Sequence, residues 1–234
     1  MLVVNYVDIT GVKDDLYRVL KNEISAGRRA KADQYFFLDD AKRCVLAELL
    51  LQYCLYHRGN SLKNIKIGYN TYGKPSLESG EDFSFNISHS GKWVVIAYGK
   101  SQAEIGIDIE KICTEQEGLP ISSFTREEQD YINEAVGEQR LKRFTKIWTL
   151  KESYVKYVGT GLSTDLDSFS ILVEDAIKVR GQDGIDEAVN LESHLFQTDY
   201  YLSTCSVEEE VTLCEIELED LIEFINLKKQ DIKI

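Results

Sequence analysis

A chain of 234 residues with 43% hydrophobic and 10% aromatic side chains has the material for a substantial core, as one large domain or two small lobes, and is not a disordered chain. Its formal charge of −13 excludes a general nucleic-acid binder, because affinity for a phosphate backbone needs clustered Lys and Arg; an anion must be met here by a local cationic pocket. The five cysteines form no CxxC pair and come without a secretory leader, which points to the reducing cytoplasm rather than to zinc or a disulfide framework. No apolar run approaches the roughly 20 residues of a membrane span.

In chain order, a short apolar start from Leu2 to Tyr6 precedes "AGRRAKADQYFFLDDAKRCVLAELLLQYCLYHRG", a basic segment leading into a long helix. Apolar residues recur there through Val45, Leu49 and Tyr53, with Asp39 or Asp40 the expected cap and Gly59 the expected stop. "NTYGKP", Asn70 to Pro75, reads as a loop, and "FSFNISHSGKWVVIAYG" as two strands about a turn near His89 to Lys92. "AEIGIDIEK" then reads as a half-buried strand, with Ile105, Ile107 and Ile109 on one face and Gly106, Asp108 and Glu110 on the other. Ser122 to Ala135 is a helix whose Thr125 and Glu128 form a capping box. Arg143 to Val158 is a second strong helix, with Ile147, Leu150, Tyr154 and Tyr157 on one side. Beyond Ile171, short strands alternate with acidic loops, and Leu218 to Leu227 form a terminal helix.

Several groupings could carry chemistry. Asp108 and Glu110 point the same way, roughly 7 Å apart along the pleat, where two carboxylates repel unless a cation or solvent relieves them. Oxygen ligands of this kind suit magnesium; the alternative is a solvated edge-strand face with ordinary salt bridges. In "WTLKESYVK", Trp148, Glu152 and Lys156 share a helix face at i, i+4 spacing. Glu152 and Lys156 are either an exposed ion pair or an acid that holds metal or takes a proton beside a cationic partner, and Trp148 is simple packing. Arg28, Arg29, Lys31, Lys42 and Arg43 concentrate positive charge in an acidic chain, either as a solvated surface or as a phosphate site to which Lys74 contributes. His89, at a strand-to-turn junction, can donate to an anion or satisfy a local backbone group.

Taken together and in this order, "YGKP", "FNISHSG", "IGIDIE" and "WTLKESYVKYVGTGLS" resemble the 4'-phosphopantetheinyl transferases of the surfactin-synthetase-activating (Sfp) type. The resemblance implies an α+β fold of two similar lobes, pseudo-dimeric within one chain, each a small sheet packed with a long helix. It divides the chain into an N-terminal lobe over 1–102, with the basic coenzyme A-binding segment, and a C-terminal lobe over 103–234, with the metal strand and catalytic helix. It implies transfer of the phosphopantetheine arm of coenzyme A to a serine of an apo acyl or peptidyl carrier protein of fatty-acid, polyketide or nonribosomal-peptide synthesis, by a cytoplasmic monomer. By motif, Asp108, Glu110 and Glu152 would hold Mg2+, with Mn2+ an alternative, and Glu152 and Lys156 would be catalytic. Arg28, Lys31, Arg43, Lys74, Ser88 and His89 would contact the coenzyme, and Glu128 matches an acidic position beside the active site.

Overall fold

The computed structural model describes residues 1–231 apart from 61, 63–64, 79–81, 101–102, 115–117 and 209. In chain order the elements are β1 (Leu2–Asp8), α1 (Asp14–Lys21), α2 (Ala26–Ala32), α3 (Leu38–His57), β2 (Ile67–Tyr69), β3 (Pro75–Leu77), β4 (Ser84–Ser90), β5 (Trp93–Gly99) and β6 (Ile105–Lys111). There follow α4 (Arg126–Asn133), α5 (Gly137–Val158), β7 (Ser170–Val173), β8 (Ile177–Gly181), β9 (Gly184–Ile185), β10 (Asn190–Phe196), β11 (Tyr200–Ser206), β12 (Val211–Glu215) and α6 (Leu218–Asp231).

The first lobe is a sheet ordered β12-β1-β5-β4 with α3 packed on one face. Val45, Leu46, Leu49, Leu50, Cys54 and Leu55 are all buried, so α3 is apolar almost all round and runs through the core rather than along the surface. The expected aspartate cap is not formed. Phe37 takes the N-cap position in extended backbone without a side-chain cap, and Asp39 and Asp40 lie inside the first turn, where their charge suits the helix dipole. Both are held by the helix itself, Asp39 by Lys42 at 3.2 Å and Asp40 by Arg43. Gly59, in left-handed backbone, follows the last turn as expected.

The second lobe sets α5 across the sheet β10-β11-β6, with α4 and the small β7-β8-β9 sheet beyond it. The helix comes unusually close to β6: a Cβ built on Gly106 would lie 1.8 Å from the Ser153 carbonyl oxygen. No other residue fits there, which explains a glycine inside a strand. α5 also starts six residues before the expected Arg143, because its polar first turns are held by the Glu138–Lys142 pair at 2.5 Å, a device invisible to apolar periodicity.

The expected division at 102/103 needs correction at the far end. β12 pairs parallel with β1, Leu2 opposite Val211 through Tyr6 opposite Glu215, and α6 packs into the core of the first lobe beside α3. Residues 211–231 therefore complete the N-terminal lobe. The physical reason is that Leu221, Phe224 and Ile225 of α6 bury their apolar side chains in the core of the first lobe, and β12 is brought to β1 beside them.

The lobes meet where β4 and β6 run side by side. Instead of a backbone ladder, side chains of β4 take up the amides of β6. Ile107 N–H donates to Asn86 Oδ1 at 3.0 Å, Ile109 N–H to Ser88 Oγ at 3.4 Å and Lys111 N–H to Ser90 Oγ at 3.1 Å. Beneath this seam Ile105, Ile107 and Ile109 pack with Leu2, Val4, Trp93, Val95 and Ala97 from the far face of the first sheet. β6 is thus buried on both faces as far as Ile109, not a half-buried strand with one wet side.

Candidate active site

The seam gathers the acidic residues. Asp108 is 3% exposed, and its Oδ1 accepts from Ser88 Oγ at 2.8 Å and from the Lys156 ammonium at 2.6 Å. Lys156 also donates to Ser88 Oγ and to the Ile107 carbonyl, each at 3.1 Å. Asp108 Oδ2 is buried with no hydrogen-bond partner among the described residues. Two positions on, Glu110 accepts from Ser90 Oγ at 2.7 Å. Burial first and the Asp108 charge second push its pKa up to about 7, with Glu152 adding and Ser90 and Lys156 opposing. Glu152, half-buried on α5, is raised in turn by burial and then by Asp108, against the pull of Lys156. Helix and strand have brought three mutually repelling acids together.

No group of three or more His, Cys, Asp or Glu among the described residues is already drawn to metal-holding distance, and a lysine sits on one Asp108 oxygen. The donor set nonetheless fits a hard cation: all oxygen, one buried oxygen without a partner among the described residues, and carboxylates whose repulsion a divalent ion would relieve.

Beside this cluster the first lobe contains a cavity of about 1100 Å³. Its inner wall is apolar, with Leu51, Leu55, Phe85 and Ile87, and Arg28, Lys31, Lys228 and His89 add basic groups. β4 divides the two environments: Phe85, Ile87 and His89 face the cavity, while Asn86, Ser88 and Ser90 face β6. His89 still reaches solvent, but the protein around it lowers its pKa through desolvation, reinforced by the charges of Arg43, Lys156 and Arg28. That lowering favours the neutral ring, which can donate or accept.

Of the expected coenzyme contacts, Arg28, Lys31 and His89 share the cavity wall. Ser88 belongs to the seam instead. Arg43 lies close enough to influence His89, yet its guanidinium is bonded to Asp40 and to the Gly91 carbonyl. Lys74 is placed elsewhere, on Glu104 and the Tyr157 carbonyl. Glu128 is not beside the acidic cluster and needs correction: it is buried in the second lobe, where it completes the predicted capping box, accepts the Ile171 N–H at 2.6 Å and pairs with Lys151 at 2.8 Å. Trp148 packs on Phe144 and Phe124, as expected of a core residue.

Sequence reasoning missed Lys151, the seam residues Asn86 and Ser90, and the glycine contact. The alternation Asn-x-Ser-x-Ser on an apolar strand was the available signal for the seam, since three polar residues on one face of a strand must find partners. Lys151 gave none.

Two family models match the chain. One described as "4'-phosphopantetheinyl transferase, N-terminal" covers residues 13–101, and one for the "4'-phosphopantetheinyl transferase superfamily" covers residues 104–205. A 4'-phosphopantetheinyl transferase of Bacillus subtilis is 31% identical over 186 residues, 78% of this chain and 82% of that protein. The transferase gsp of Aneurinibacillus migulanus is 31% identical over 214 residues, 91% of this chain and 88% of its own. The transferase Sfp of Bacillus subtilis strain 168 is 36% identical over 152 residues, 63% of this chain and 66% of its own. The chain belongs to the 4'-phosphopantetheinyl transferase superfamily. Within it, the relatives are those of the Sfp type, and the chain itself folds as two lobes. No helix among the described residues is long and apolar enough to cross a membrane.

Proposed function

We propose that this enzyme moves the 4'-phosphopantetheine arm of coenzyme A onto a serine hydroxyl of an apo acyl or peptidyl carrier protein, with magnesium as cofactor, and releases adenosine 3',5'-bisphosphate. The observation that carries the reading is the buried Asp108 Oδ2, without a hydrogen-bond partner among the described residues, within an acid cluster drawn from two elements, beside a cavity with basic groups in its wall. Arg28, Lys31 and His89 supply donors for the coenzyme phosphates, and Arg43 adds positive charge behind His89. Asp108, Glu110 and Glu152 would hold the ion, manganese serving in place of magnesium. When bound, such an ion neutralises charge on the pyrophosphate and makes its phosphorus a better electrophile.

The chain's own residues then divide the remaining work. The serine oxygen attacks the β-phosphorus, the bond from that phosphorus to the bridging oxygen breaks, and the bisphosphate leaves. Glu152 takes the serine proton, a task suited to a carboxylate whose pKa burial raises. Lys156, already bonded to Asp108 and Ser88 at the seam, stabilises charge on the departing phosphate. The five cysteines form no disulfide, in keeping with work in the reducing cytoplasm.

The test is to incubate the protein with coenzyme A, magnesium and a panel of apo carrier proteins of fatty-acid, polyketide and nonribosomal-peptide type, and to weigh the carriers intact. A carrier gaining one phosphopantetheine supports the reading, and Asp108→Ala and Glu152→Gln should abolish the gain while staying folded. No gain across the panel overturns it. Release of bisphosphate without a carrier would make the enzyme a phosphohydrolase.

A further inference from the structure

The loop between β2 and β3 belongs to the first lobe, yet its side chains end on the second. Asn70 folds the loop on itself: its Oδ1 accepts the N–H groups of Tyr72 and Lys74, both at 2.9 Å, and its own N–H reaches the Lys74 carbonyl at 3.0 Å. This leaves the Asn70 amide nitrogen pointing outward, where it donates to the Gly159 carbonyl at 2.8 Å. Lys74 extends further. Its ammonium donates to the Tyr157 carbonyl at 3.0 Å and to Glu104 Oε2 at 2.5 Å.

Where those acceptors sit in the chain gives the contacts their meaning. Tyr157 and Gly159 close α5, and the last carbonyls of a helix lack partners within it and carry the negative end of its dipole. An ammonium and an amide donor supply what those carbonyls need. Glu104 immediately precedes β6. One lysine thus ties the end of the helix bearing Glu152 and Lys156 to the start of the strand bearing Asp108 and Glu110, and does so from the opposite lobe. Gly159 permits the approach: its φ is +80°, and a Cβ there would lie 3.2 Å from Lys74 Cδ and 3.3 Å from Asn70 Nδ2.

We infer that Asn70 and Lys74 are positioning residues that cap α5 from across the lobe boundary and hold the two elements of the acid cluster in register. The inference rests on the transfer reading above and deepens it, giving Lys74 the task of holding the helix rather than gripping the coenzyme.

The test uses the full chain with Lys74→Ala, Asn70→Ala and Lys74→Arg. Turnover and the KM for coenzyme A are measured at saturating carrier, together with hydrogen exchange of residues 150–160 without any substrate. Lys74→Ala should lower turnover about tenfold or more while KM stays within about twofold, since misplaced catalytic groups cost rate more than binding. The last turn of α5 should exchange faster by a similar factor. Arginine, able to reach the same carbonyl, should restore most of both, and Asn70→Ala should show the same pattern at smaller size even if the lysine variant fails to fold. A KM raised about tenfold with turnover and exchange unchanged would mean that Lys74 binds the coenzyme, and the inference falls. Unaltered exchange alone also overturns it. A wild-type chain with no transfer activity, but with faster exchange in the variants, would sink the transfer reading and leave the cap standing.

Discussion

Helix α5 carries two lysines five positions apart, each paired with an acid, and they illustrate opposite uses of a buried charge. Lys151 and Glu128 are both 0% exposed. The ammonium donates to Glu128, to the Leu166 carbonyl at 2.6 Å and to the Phe169 carbonyl at 2.6 Å, while the two Glu128 oxygens also accept the Ile171 and Thr125 amides. Every donor of that lysine has an acceptor. Lys156 and Asp108 sit closer to solvent, their side chains alone 27% and 4% exposed, one Asp108 oxygen has no partner among the described residues, and two further acids press on the pair. A closed network can only hold α4, α5 and β7 together. An open one has capacity left for a ligand, which is why the second pair, not the more deeply buried first, marks the site.

The contrast is broken most violently at the closed pair. Lys151→Met should cost about 3–5 kcal/mol, because Glu128 is left buried and uncompensated, and adding Glu128→Leu should not restore stability, because the Ile171 and Thr125 amides then lose their acceptors as well. Urea unfolding of the single and double variants measures this; a Lys151→Met chain as stable as its parent would refute the structural role. At the open pair the pattern should invert. Asp108→Asn should reduce transfer by at least about 100-fold and shift stability by under about 1 kcal/mol, since it removes a source of repulsion rather than a completed network. Parallel denaturation and transfer assays separate the two effects.

The smallest effect sharpens the comparison through pH. Glu110 titrates at about 7 in the folded chain and near its ordinary 4.5 when unfolded, so the folded state holds more protons between those values. Stability contributed by this group therefore falls as pH rises from about 4.5 to about 7, and the full penalty applies above that range. Glu110→Gln removes the penalty: its advantage should be absent near pH 4, grow through the window and level off at roughly 1–3 kcal/mol. Added magnesium should shrink that advantage in urea titrations by stabilising the parent, and a difference independent of pH would contradict the assigned environment.

Much of the site was legible because its local rules are strong. The alternation of Ile105, Ile107 and Ile109 put Asp108 and Glu110 on one face of a strand, and i, i+4 spacing put Glu152 and Lys156 on one face of a helix. The Thr125–Glu128 capping box was readable from two residues and is present, yet nothing nearby announced that the same glutamate would also neutralise a buried lysine. Asp39 and Asp40 show the opposite failure, where good capping residues fell at the second and third positions of the helix because Phe37 already occupied the boundary. The return of residues 211–231 to the first lobe left no local trace, as parallel pairing imposes no turn and no spacing.

The sequence by itself determined the strands and helices that bear the acids, the basic segment and the family signature, because periodicity, capping and loop chemistry act over a few residues. Tertiary structure alone decided which lysine would be sealed and which left open, that β4 would serve β6 through serine and asparagine side chains, and that the last strand would close the first sheet. Those outcomes depend on which groups lose water together when distant segments pack, and the cost of leaving a buried polar group unpaired is set only once its neighbours are in place.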